Sequence, residues 1–194
     1  DKSSVLYARM YKKTKDEFFF DYYLKSLMEL ESFEDAEKAI SKRLKREKLP
    51  VLGVRLGDVM SKSGDERKAQ QLFETVIKDL LPIKPEIDKV SDAFVSIGKL
   101  DLAIATLKKG QSILNGEYGY GYELADLYGK QGKFGQQLDQ FFAILEFNPR
   151  ESKKIQPKLL DELADDPNGE KNDFFQQEVI DKIQTSPGVD VHVE

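Results

Sequence analysis

A residue pattern that returns every 34 positions constrains this chain more than anything else in it. Leu56, Val90 and Leu124 recur at a spacing of 34, as do Met60, Phe94 and Tyr128. So do Gly64, Gly98 and Gly132, and Phe73, Leu107 and Phe141. Ala36, Ala69 and Ala103 follow at spacings of 33 and 34. A period of this length marks a supersecondary unit that cannot bury its apolar face alone, so copies must stack on one another. Residues 122–149 show the unit most clearly. Leu124, Leu127 and Tyr128 fall at i, i+3 and i+4, which is one face of a helix. Gly132 stands where a helix C-terminus needs a positive φ, which glycine adopts without steric cost. Leu138, Phe141, Phe142 and Leu145 form the stripe of a second helix. Asn148-Pro149 stops it, because proline cannot continue a helix and restrains the residue before it.

A leucine, a small residue and a tyrosine on the first helix, an alanine and a phenylalanine on the second, and the 34-residue period carry a likeness. Over about residues 17–149 the chain resembles the tetratricopeptide repeat (TPR) family. The resemblance implies an all-α fold, a right-handed α-solenoid of stacked helix-turn-helix repeats whose first helices line a concave groove. It also implies a non-catalytic scaffold that binds a protein or peptide there.

The period divides the chain into repeats at 17–49, 50–83, 84–117 and 118–151. Residues 1–16 carry an amphipathic helix over 4–14 with Val5, Leu6 and Met10, read as a partial repeat or capping helix. Pro149 and Pro187 are 38 apart, so 152–187 is read as a degenerate repeat with a four-residue insertion. Its helices are expected over 152–164 and 172–185, with a mobile linker at 165–170. Residues 188–194 are a tail or the start of a truncated repeat. Three positions depart from the pattern. Phe18 to Leu24 is aromatic almost all round, so it is either buried on several sides or an exposed binding patch. Arg43 replaces a small residue at a close helix contact, which puts packing there in question, and Gln137 replaces an alanine, which is expected to loosen or polarise its contact.

Composition removes most catalytic chemistry. Cysteine is absent and His192 is the single histidine, so the commonest nucleophile, general base and zinc ligands are missing. Gly116-Glu-Tyr-Gly-Tyr-Gly121 lacks the lysine and hydroxyl residue of a phosphate loop. The reading is therefore not an enzyme, with no cofactor and no metal. No apolar run reaches the roughly 18 residues of a membrane helix. A net charge of −5 argues against nucleic acid as the main partner. The chain begins at Asp1, so it is expected to be either a processed mature chain or an excised piece. Localisation stays open between the cytoplasm and a processed cell-envelope or secreted protein.

One constellation remains. Asp58, Asp92 and Asp126 recur at a spacing of 34, each two positions after the leucine or valine of a first helix. They are expected to stack as a ladder of carboxylates in the groove. Asp21 and Asp88 lie one turn earlier in their own repeats, Lys62 and Lys130 flank the ladder and are expected to neutralise it in part, and Tyr122 completes the candidate set. Chaperone-binding members of the family clamp a peptide's carboxylates with lysine, arginine and asparagine. Aspartate at a corresponding position points instead to a basic protein or peptide ligand. The alternatives are a solvated face with no ligand, a structural spacer packed against further repeats of the same parent chain, and a regulatory domain of a multidomain enzyme.

Overall fold

The computed structural model describes residues 2–114, 119–164, 169 and 172–177, apart from the side chains of 162 and 163. Every regular element among them is helical: α1 (Lys2–Thr14), α2 (Glu17–Glu29), α3 (Phe33–Glu47), α4 (Pro50–Lys62), α5 (Glu66–Lys78), α6 (Lys84–Ser96), α7 (Leu100–Ile113), α8 (Gly121–Lys130), α9 (Phe134–Phe147) and α10 (Ser152–Ala164). A 3-10 turn, Pro149–Glu151, precedes α10, and residues 172–177 are helical. The chain forms two compact units, Asp1–Tyr118 and Gly119–Glu194. The expected linker at 165–170, the rest of the 172–185 helix, the 188–194 tail and His192 lie outside the described residues, except for Gly169.

The turns reveal the repeat at the level of single hydrogen bonds. Gly64, Gly98 and Gly132 have φ of +96°, +73° and +68°. The next N–H donates back to the first helix in each case: Asp65 to Met60, Lys99 to Phe94 and Lys133 to Tyr128, all at 2.9 Å. Ser32 donates to Leu27 at the same 2.9 Å, with Glu31 at φ 54° in the glycine's place. These are four copies of one helix-ending motif, in which a left-handed residue lets two N–H groups reach back to the last turn. The donor residue then starts the next helix, since its carbonyl accepts from Ala36, Ala69, Ala103 or Gln137.

In the first unit α4 packs on α5 and also on α6, while α5 and α6 both meet α7. The α4–α5 hairpin thus stacks on the α6–α7 hairpin, first helix on first helix and second on second. Ala36, Ala69, Ala103, Phe73, Val90 and Phe94 are fully buried. Gly57 is required by this closeness: a Cβ there would lie 2.7 Å from Phe73 Cδ1 and 2.8 Å from its Cζ. At the other end of the unit, α1 covers one side of α2, with Tyr11 and Phe20 rings 4.9 Å apart. The aromatic helix divides accordingly. Phe20 and Leu24 are buried, whereas Phe18 is 55% and Tyr22 41% exposed.

The second unit packs α8 on α9 around Ala125, Phe141 and Ile155. Phe175 is buried, its ring 5.9 Å from that of Phe134. Gln137 does not loosen the hairpin. It is buried, and a Cβ on Gly129 would lie 2.7 Å from its Nε2. The equivalents of Gly129 in the earlier repeats are Met28, Ser61 and Val95. A larger residue on α9 is matched by a missing side chain on α8, which conserves volume.

Candidate functional site

Arg43 opens the site, because burying a guanidinium needs partners and here it has them. Its Nη1 lies 2.6 Å from Glu17 Oε2, and its Nη2 2.7 Å from Glu47 Oε2. Its guanidinium carbon stands 4.5 Å from the Phe20 ring centroid and 5.7 Å from that of Tyr11. Burial works against the charge, but hydrogen bonds to Glu47 and Glu17 outweigh it and hold the guanidinium above its ordinary pKa. The hydrogen bond from Arg43 holds the Glu47 carboxyl below its usual value. The expected packing fault at Arg43 is thus a filled site, in which stacking and ion pairing replace a small side chain.

From Glu17 the network runs on to α4. Arg55 Nη1 lies 2.9 Å from Glu17 Oε1 and 2.6 Å from Asp21 Oδ1. These charges edge a cavity of about 700 Å³ lined by α2, α3, α4 and α6. Its apolar wall includes Leu24, Met28, Val51, Val54, Ala93 and Ile97. Asp21, Asp58 and Asp92, from three successive first helices, all line it.

The cavity is charge-balanced rather than net acidic. Glu17, Asp21, Asp58 and Asp92 face Lys25, Arg43, Arg55 and Lys89 around the same walls. Asp21 is engaged by Arg55, and Asp58 by Lys62 at 2.8 Å. Asp92 has no ion pair among the described residues, nor do Lys25 and Lys89. Asp88 pairs with Lys84 at 2.7 Å and does not line the cavity. Asp126 pairs with Lys130 at 2.7 Å within the second unit. Tyr122, also in the second unit, donates to Glu151 Oε2 at 2.7 Å. Burial, then the Glu151 carboxylate, push its phenol up to about 12.

Sequence reasoning passed over Arg55, Lys89 and Lys25, and a signal for them was present. Arg55 and Lys89 are 34 apart, each three residues before Asp58 or Asp92. An i, i+3 pair shares a helix face, so a column of cations runs beside the column of carboxylates. Lys25 occupies the ladder's own position in the first repeat, 33 before Asp58.

Among the described residues no group of three or more histidine, aspartate or glutamate side chains is arranged to hold a metal ion. None of the described helices is long and apolar enough to cross a membrane. Comparison of the chain with protein-family models gives no match, and comparison with curated proteins gives none either.

Proposed function

We propose that this chain is a non-catalytic scaffold, a right-handed TPR-type solenoid that holds a protein or peptide segment in the groove of α2, α4 and α6. The observation that carries this is the convergence of three first helices on one cavity with an apolar wall and ordered charges at its edge. Such a cavity offers burial for apolar anchors and polar groups for register. The non-catalytic reading is supported by the absence of cysteine and by a single histidine in the whole sequence.

The ligand is a segment with charges of both signs. Its lysine or arginine meets Asp92, and its acidic groups meet Lys25 and Lys89. Asp21 and Asp58 already have cationic partners, so Asp92 carries the selectivity for a basic group. Charges at such a rim act on association rate and choice of partner more than on affinity. A displayed peptide library tests the reading. Wild type is expected to enrich peptides that share apolar anchors and a basic residue, and Ala93→Arg, which fills the groove, is expected to abolish the enrichment. Enrichment that survives Ala93→Arg contradicts the proposal.

A spacer role within a longer array is favoured by one feature. Ile40, Phe73, Leu107 and Phe141 are buried on their second helices, whereas Val5 and Leu6 on α1 are 60% and 54% exposed. A further helix laid on α1 would cover them.

A further inference from the structure

The basic side chains of the first unit are not all spent on the groove. A second cavity, of about 330 Å³, opens on α1, α2 and α3. Five of the residues lining it are basic, Lys12, Lys15, Lys42, Arg43 and Arg46, and none of its described lining residues is acidic. Its floor is aromatic and apolar, with Tyr11, Phe20, Tyr23 and Ala39.

The partners of these cations decide what charge is left over. Arg43 is held by Glu17 and Glu47, and Arg46 lies 3.4 Å from Glu47 Oε1. Lys12, Lys15 and Lys42 have no carboxylate partner among the described residues. Lys15 sits in the turn between α1 and α2 with φ 60°, a left-handed conformation uncommon for a residue with a side chain. There its ammonium stands 5.6 Å from the Tyr11 ring centroid. Tyr23 adds a hydroxyl, whose pKa is raised by burial and then by the Asp35 carboxylate. Three lysines without a carboxylate partner, two arginines already engaged by Glu17 and Glu47, and a tyrosine line one small concavity. Low-dielectric walls strengthen the field that such groups exert on an anion.

We infer that this cavity is a binding site for a compact ligand bearing two or more phosphate groups. Phosphate accepts from ammonium and guanidinium donors in charge-assisted hydrogen bonds, and its density of charge matches lysines gathered in one place. The site's volume suits a free polyphosphate or a phosphorylated head group. A nucleic-acid strand needs a basic track that continues past one small cavity, and the chain's net charge of −5 opposes it. Arg43 lines both this cavity and the groove, so occupancy here bears on the same side chain that anchors Glu17.

The test is calorimetric titration of the full chain with inorganic tripolyphosphate, beside co-sedimentation with phosphatidylcholine vesicles containing either phosphatidylinositol bisphosphate or charge-matched phosphatidylserine. Saturable tripolyphosphate binding that weakens with salt is expected, and preference for the bisphosphate vesicles would assign the source to a head group. Lys12→Gln/Lys15→Gln/Lys42→Gln alters only exposed side chains and is expected to weaken binding about tenfold or more. Tyr23→Phe is expected to weaken it less. Lys25→Gln/Lys89→Gln, in the groove, is expected to leave it unchanged, which separates this site from the proposed peptide site. The inference is overturned if neither probe binds, if the triple variant binds like wild type, or if an oligonucleotide or a glutamate-rich peptide competes more tightly than tripolyphosphate.

Discussion

Arg55 Nη1 lies 2.6 Å from Asp21 Oδ1, so a cation on α4 holds a carboxylate of the preceding repeat. This ion pair ties two first helices together at the rim of the groove. Both side chains are partly exposed, which limits its strength to about 0.2–1 kcal/mol. A double-mutant cycle with Arg55→Gln and Asp21→Asn is expected to give a favourable coupling in that range. Urea unfolding at low and high salt would measure it, and the coupling should shrink as salt screens the pair.

Gly57 and Phe73 provide a sharper test of the hairpin. Gly57→Ala drives a methyl group into the Phe73 ring and is expected to cost about 1–3 kcal/mol, despite alanine's better helix propensity. In a Phe73→Leu background the same substitution is expected to cost less, because the ring atoms it meets are gone. Urea unfolding midpoints of the four proteins measure the coupling.

A different close contact, in the second unit, predicts a change of sign. Gly129→Ala meets Gln137 and is expected to destabilise the protein. In the Gln137→Ala background the methyl group has room, and the helix propensity gain of about 1 kcal/mol should then appear as stabilisation. Thermal melts of the two pairs read this directly.

Tyr122 and Glu151 couple the second unit to pH. The Tyr122 pKa is raised from 10.0 to about 12 by burial and by Glu151, so the folded state holds this proton more tightly. Its contribution to stability is present below pH 10 and is lost as pH rises from there toward 12. The Glu151 carboxyl is lowered from 4.5 by the Tyr122 and Lys154 hydrogen bonds. Its contribution is present above pH 4.5 and is lost as the carboxylate protonates below it. Tyr122→Phe is expected to reduce both losses, as unfolding followed across pH would show.

The repeat was legible because a period leaves the same residue at the same turn. Three glycines with positive φ, and the buried alanines and phenylalanines, could be read from spacing alone. The compensations were not legible. Arg43 looked like a fault because its partners, Glu17 and the rings of Tyr11 and Phe20, come from other helices. Gln137 looked like one because the space it fills is a side chain missing from Gly129. Asp58 and Asp92 were legible as a pair on one cavity, and Lys62 as the neighbour that neutralises Asp58, but the hold of Arg55 on Asp21 was not, since it reaches across the gap between two repeats. Pairing across the stack depends on side-chain reach, which periodicity does not encode.

The claim that the α2, α4 and α6 groove receives the ligand is tested most directly by an amide-exchange footprint. The chain would be measured alone and saturated with a peptide selected by display. Slowed exchange confined to α2, α4 and α6 around Asp21, Val54 and Asp92, and reduced affinity in Asp92→Asn, are the predicted result. Protection that falls on α5 and α7 or on the second unit instead, with Asp92→Asn binding as wild type, would contradict the account.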